Sequence, residues 1–152
     1  MTPTTQPFER DDIPAAETVV DAPIDEVYSL LSDVQAWSGW IPEVHDPIHH
    51  DADSDVYRVV YATGTETRHA ELRRVLVGPS HRLSVEIVGR GVLHFRTRPQ
   101  GNRTLLDARF QPYARATARI GRRRERARRT DSLVRLLDHA RRHAEGRPPA
   151  ES

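Results

Sequence analysis

The stretch from Glu17 to Val44, ETVVDAPIDEVYSLLSDVQAWSGWIPEV, constrains the fold more than any other part of this chain. It sets a strand, a helix and a tryptophan-bearing bend in immediate succession. Thr18, Val19 and Val20 are β-branched and suit a pleated, half-buried surface. The run ends at Asp21, and Pro23 then brings the fixed φ and missing N–H that fit a first helical position. Asp25 and Glu26 place negative charge against the positive end of that helix. Ile24, Val27, Leu31 and Val34 recur at the helical period, so one face is apolar and needs a surface to cover it. Ser38, Gly39 and Pro42 allow only short helical turns, which hold Trp37, Trp40 and Ile41 near a bend.

Strands follow. His45 to Asp55 reads as a loop, then Val56 to Ala62 (VYRVVYA) as a strand ending at Thr63 and Gly64. Thr65 to Val77 is a second strand, turned at Gly78-Pro79-Ser80. Arg82 to Val88 alternates Leu83, Val85 and Ile87 with polar or smaller neighbours, the mark of a half-buried strand. Val92 to Arg98 and Arg103 to Gln111 flank the turn signal Gly101-Asn102. From about Thr117 to Glu145 the chain reads as helical, with Leu133, Val134, Leu136, Leu137, Ala140 and Ala144 as the apolar side of its second half. Thr130-Asp131-Ser132 is a cap-like triplet that permits a break there. Residues 1–14 and 146–152 read as disordered tails around one domain, 15–145.

The 152 residues suffice for one domain with a real core. With no cysteine, disulfides and thiolate metal sites are excluded, which fits a reducing cytoplasm. No apolar run approaches the roughly 20 residues that span a bilayer, and the N-terminus lacks a signal-like pattern, so a soluble, cytoplasmic protein without stable membrane insertion is expected. The net charge of +1 hides an asymmetry. Residues 1–57 carry one basic side chain, Arg10, against thirteen acidic ones, and residues 58–152 carry twenty-two against nine. All 23 basic residues are arginine.

The run DAPIDEVYSLLSDVQAW followed by IPEV resembles the opening of the START-like helix-grip superfamily (SRPBCC), in particular its polyketide cyclase/dehydrase and coenzyme Q-binding branches. The order of the later strands and the long C-terminal helix is similar too, over roughly Ala15 to Glu145. The resemblance implies an α+β helix-grip fold: a curved antiparallel sheet of about six or seven strands wrapped on a long C-terminal helix, with two short helices after the first strand. It also implies an apolar cavity between sheet and helix. The superfamily includes enzymes, carriers and regulators, so fold is better specified than function.

The strand Thr65 to Val77 carries the chemistry. Ala70, Leu72, Arg74 and Leu76 share one face, and His69, Glu71, Arg73 and Val75 the other. If the apolar face points inward, Arg74 is a permanent cation in a greasy pocket, suited to a carboxylate, an enolate or a carbonyl. Polyketide aromatase/cyclases are similar in having a functional arginine on the equivalent strand; Arg74 matches it if two residues are inserted before the turn, whereas an ungapped match gives Val75. The opposite phase makes His69, Glu71 and Arg73 the lining. Arg74, His69 and Glu71 are therefore the candidate catalytic residues. Trp40, Tyr57, Val59, Tyr61, Phe95, Leu106, Ala108 and Phe110 are the candidate substrate-binding wall under the same alternation. Val44 stands where the aromatase pattern has a tyrosine, and the serine-containing triplet before its arginine is absent.

The cluster His45, His49, His50, Asp51, Asp53 and Asp55 begins like a calcium loop, but Val56 replaces the required glycine and Ala62 the bidentate glutamate, so a solvated acidic loop without metal is expected. No cofactor motif is present. The arginine-rich helix Arg119 to Arg129 reads as a solvated face paired with the acidic half, or as a seat for an acidic acyl carrier protein or an anionic membrane surface. Without interleaved aromatic residues it does not suit nucleic acid. The leading expectation is a polyketide cyclase/dehydratase of antibiotic-type biosynthesis, folding a poly-β-ketone or related intermediate for aldol-type ring closure or dehydration. Base catalysis falls to His69 or a water and enolate stabilisation to Arg74. The alternatives are a non-catalytic carrier of a quinone, lipid or polyketide, and a toxin-like or regulatory interaction protein acting through the arginine helix.

Overall fold

The computed structural model describes residues 13–77, 81–113 and 119–146, with the side chains at 76 and 119–123 outside that description. Among these residues the chain forms seven strands and two α-helices. The strands are β1 (Ala15–Val20), β2 (His49–Asp51), β3 (Val56–Thr63), β4 (Glu66–Val77), β5 (Arg82–Ile87), β6 (Gly91–Gln100) and β7 (Arg103–Pro112). The helices are α1 (Ile24–Ser32), followed by a 3-10 turn Val34–Gly39, and α2 (Arg119–Ala144). One antiparallel sheet runs in the order β1-β7-β6-β5-β4-β3-β2, and the long helix completes the helix-grip α+β arrangement.

Pro23 occupies the cap of α1, one position before the first helical residue, and its carbonyl accepts from the Glu26 and Val27 amides. The expected apolar face is buried at Val27, Leu31 and Val34, with Ile24 half-buried. Trp37 packs edge-on to both Trp40 and Phe95, and its Nε1 donates to the Leu31 carbonyl at 2.9 Å, fixing the bend against the sheet. Thr104, fully buried on β7, donates its hydroxyl to the Ala22 carbonyl at 2.8 Å and ties the start of α1 down from below.

Four local expectations are corrected. His49 to Asp51, read as loop, is a short edge strand on β3, whose lack of apolar alternation hid it. The break at Thr130 to Ser132 does not occur, because the Thr130 and Ser132 hydroxyls bond back to the Arg126 and Arg128 carbonyls four residues earlier and sit inside a continuous helix. Val134 is 54% exposed, while Leu133, Leu137 and Ala140 are buried and Leu136 and Ala144 half-buried. The turn 78–80, the helix start before 119, the tail from 147 and residues 1–12 of the expected tail 1–14 lie outside the described residues, whereas Ile13 and Pro14 are buried and the Pro14 carbonyl accepts from the Phe110 amide at 3.0 Å.

Both helices pack on one side of the sheet. α2 lies against β1, β7 and α1, and α1 against β6 and β7; neither makes more than incidental contact with β3 or β4. The inner face of those two strands is thus left to smaller covers, and it carries the candidate site.

Candidate ligand-binding site

Pairing of β3 with β4 sets Tyr57 beside Leu72 and Val59 beside Ala70, and Leu72, Tyr57 and Val59 are buried. This fixes the phase of β4: Ala70, Leu72 and Arg74 face inward. His69 and Glu71 are exposed on the opposite face, paired to Val60 and Arg58. The structure therefore does not bring His69 and Glu71 together with Arg74; the two-residue period of the strand separates them. Arg73 shares the outer face and bonds Glu86 at 2.5 Å. Tyr113 also donates to Glu86, and these two donors, Tyr113 first, hold that carboxyl below its ordinary range.

After Arg74 the register with β5 shifts. Arg74 pairs with Val85 and Leu76 with Ser84, so an extra residue is taken up in a bulge, and Val75 is 50% exposed. Arg74 lies before the bulge and keeps the inner phase of Leu72. Its side chain is 31% exposed and held loosely: Nη1 is 3.4 Å from the Ser32 carbonyl, Nη2 is 4.0 Å from Asp55 Oδ1, and buried Nε has no partner. The guanidinium lies 5.6 Å from the centre of the Tyr57 ring, a cation–π distance. Tyr57 is in turn stacked by His50 at 4.2 Å, and His50 Nε2 is 2.8 Å from Asp55 Oδ1. His50 and Asp55, expected in a solvated loop, thus belong to the neighbourhood of Arg74. The signal for His50 was its place two residues before the turn, where pairing with Tyr57 puts both rings on one face.

The proposed wall residues form one buried cluster, with Tyr61 packed half-buried against it. Phe95, Leu106 and Ala108 are almost wholly enclosed beneath the helices. Trp40, Tyr57, Val59 and Phe110 retain slightly more exposure, and Tyr61 Oη accepts from Arg90 at 3.0 Å. Arg129 of α2 lies 4.8 Å from the centre of the Phe110 ring and bonds Glu125 at 3.0 Å. Arg124, Arg126 and Arg128 are exposed, whereas Arg135 reaches Glu43 in the acidic half of the chain. An open cleft of about 510 Å³ lies between α1, the 3-10 turn and the end of α2, with Asp25, Glu26, Asp33, Trp40 and His143 among its walls. It is an acidic surface feature, separate from Arg74. Sequence reasoning also passed over His139, which sits in the buried face of α2 three residues after Leu136.

The chain matches the family model for polyketide cyclase / dehydrase and lipid transport over residues 15–141, and it belongs to that family. No curated protein matches it. Among solved structures it is similar to the di-domain ARO/CYC BexL, with a TM-score of 0.72 at 21% identity over 86% of this chain and 45% of that one. It also resembles the Zhui aromatase/cyclase from a Streptomyces, with a TM-score of 0.58 at 18% identity over 88% and 97% of the two chains. A protein from Thermobifida fusca gives 0.70 at 15% identity over 93% and 98%. The chain thus spans about half the length of the di-domain BexL. These identities establish a shared fold. No helix among the described residues is long and apolar enough to cross a membrane.

Proposed function

We propose that this chain is a cyclase/dehydratase that takes a poly-β-ketone or related hydrophobic intermediate against the inner face of β3 and β4 and promotes aldol-type ring closure or dehydration. The observation that carries the reading is Arg74: a cation that cannot neutralise itself, facing inward beside Leu72 and Tyr57, with Nε left unpaired. A carbon between two carbonyls is already acidic, so modest help suffices. A base takes its proton, and the enolate oxygen gathers charge beside Arg74. The carbon then bonds to a second carbonyl carbon, whose oxygen receives a proton to become hydroxyl. Loss of that hydroxyl with a neighbouring proton, as water, completes a dehydration. His69 and Glu71 face away, so the base of this reading is a water or His50, which Asp55 orients at 2.8 Å. Product formation by Arg74→Ala with a synthetic polyketone tests it. The expected result is a rate reduced about 10²–10³-fold while affinity changes less, the pattern of an interaction made mainly in the transition state.

A carrier of a hydrophobic ligand is the second reading, favoured by the family's inclusion of lipid transport and by the outward-facing His69 and Glu71. Wild type that binds the polyketone without converting it would decide for the carrier. In either case the exposed arginines at 124, 126 and 128 suit an acidic acyl carrier protein delivering the ligand.

A further inference from the structure

His50 and Asp55 are placed by the hairpin that joins β2 to β3. Asp51 closes its turn by accepting the Asp53 amide at 3.0 Å, and that bond, followed by others from Ser54, holds the Asp51 carboxyl below its ordinary range. Asp55 then takes a left-handed conformation, φ 52°, which aspartate tolerates better than most residues. The chain returns with Tyr57 opposite His50, and Asp55 Oδ1 lies 2.8 Å from His50 Nε2.

That contact fixes the proton. A carboxylate only accepts, so Nε2 donates and the neutral ring keeps its lone pair on Nδ1. Among the described residues Nδ1 has no hydrogen-bond partner. The side chain is 26% exposed, so it is not sealed off, and its ring stacks on Tyr57, the same ring that Arg74 approaches on the inner face. Asp55 Oδ1 is also 4.0 Å from Arg74 Nη2, beyond bonding reach, so the carboxylate is committed to the imidazole and the guanidinium stays available. His81 and Asp25 form a similar pair at 3.0 Å, but Asp25 is 89% exposed and that pair belongs to the surface at α1.

We propose that His50, through Nδ1, is the general base of the ring closure and that Asp55 is the positioning residue that holds its tautomer. The dyad rests on the proposed cyclase function, whose base it moves from water to a side chain. Nδ1 takes the proton from the carbon between two carbonyls, and the C–H electron pair becomes the enolate that Arg74 faces. The imidazolium so formed is paired with Asp55. Once the carbon has bonded to the second carbonyl carbon, Nδ1 returns that proton to the new alkoxide oxygen and the ring is neutral again. His50 thus acts on the proton and Arg74 on the oxygen.

The test follows nonane-2,4,6,8-tetraone, which closes to 2,4-dihydroxy-6-methylacetophenone with loss of one water. His50→Gln and Asp55→Asn are each expected to lower kcat about 10²-fold with KM kept within about twofold. The double variant should be no slower than the slower single, because the two residues act as a unit. Long-range proton–nitrogen NMR should find the His50 proton on Nε2 in wild type. Asp55→Asn, which suits the left-handed turn, serves if His50→Gln does not fold. Turnover unchanged by both variants while Arg74→Ala is slow, losses that multiply in the double variant, or a proton on Nδ1 overturns the dyad and leaves the proposed function standing. Wild type that binds the tetraone without converting it overturns both.

Discussion

The two halves of the sheet are built to different ends. Beneath α1 and α2, the strands β1, β6 and β7 present Val20, Phe95, Leu106 and Ala108, all 1% exposed or less, and two of the polar side chains on β7 are answered within the chain. Thr104 bonds Ala22, and Asp107 on the outer side receives both Arg96 and Arg98. On β3 and β4 the helices withdraw, Tyr61 and Ala70 are half-buried, and Arg74 keeps an unmet Nε. The closed half is dominated by tight apolar packing; the other half keeps on its inner face a cation whose Nε is unmet. In a family described as cyclase, dehydrase and lipid transport, the proposed function assigns ligand contact to the second half and leaves stability to the first.

The comparison breaks first, if it is wrong, at Leu137. This side chain is 1% exposed on the face of α2 that covers the closed half, and Leu137→Ala leaves a cavity that the surrounding helix and strands cannot collapse around. A loss of roughly 2–5 kcal/mol is expected in urea unfolding. Thr104→Val is the next largest: it keeps the shape but leaves the buried Ala22 carbonyl without its donor, for about 1–3 kcal/mol. An unfolding midpoint unchanged in either variant would show that the closed half is not the source of stability.

The halves also differ in how far they could be read from sequence. The closed half follows from rules of period: Val27, Leu31 and Val34 at helical spacing, and Leu106, Ala108 and Phe110 at strand spacing, lead straight to buried positions. The open half depends on pairing between segments. Both faces of β4 mix apolar and charged residues, so only its register with Tyr57 and Val59 decides which side is inward up to Arg74. His50 was hidden because HHD has no apolar alternation, and His139 because the stripe from Leu133 to Ala144 reads as complete without it. Unmet hydrogen bonds, as at Trp40, leave no trace in sequence at all.

Arg74→Leu sharpens the contrast from the open side. Its guanidinium has a long bond to Ser32, a distant carboxylate and an unpartnered Nε, so a leucine beside Leu72 and Tyr57 gives up little and gains apolar contact. Stability should stay within about 1 kcal/mol of wild type or rise, while turnover of a polyketone falls, the trade expected where a site is maintained against stability. A stability loss comparable with that of Leu137→Ala would make Arg74 a structural residue, and the division between the halves would fail there.

The smallest effect concerns the outer face, where His94 bridges Ser84 and Gln111 at 2.7 and 3.1 Å. The bond to the Gln111 carbonyl oxygen assigns the proton to Nε2, so Nδ1 accepts from the Ser84 hydroxyl and the ring is neutral. Burial pushes its pKa below the ordinary 6.5, with the Gln111 bond opposing weakly. The depressed value fixes the sign: the unfolded chain takes up a proton before the folded one does, so this contribution is present above 6.5 and is lost as pH falls through that value toward the folded pKa. His94→Gln removes the titration. Compared at about pH 7.5 and about pH 5.5, wild type should lose more of its urea midpoint than the variant does, by a margin well below the Leu137 effect. A variant that loses as much as wild type would place the acid sensitivity elsewhere, and Ser84→Ala, which removes the hydroxyl donor to Nδ1, would then also leave the pH profile unchanged.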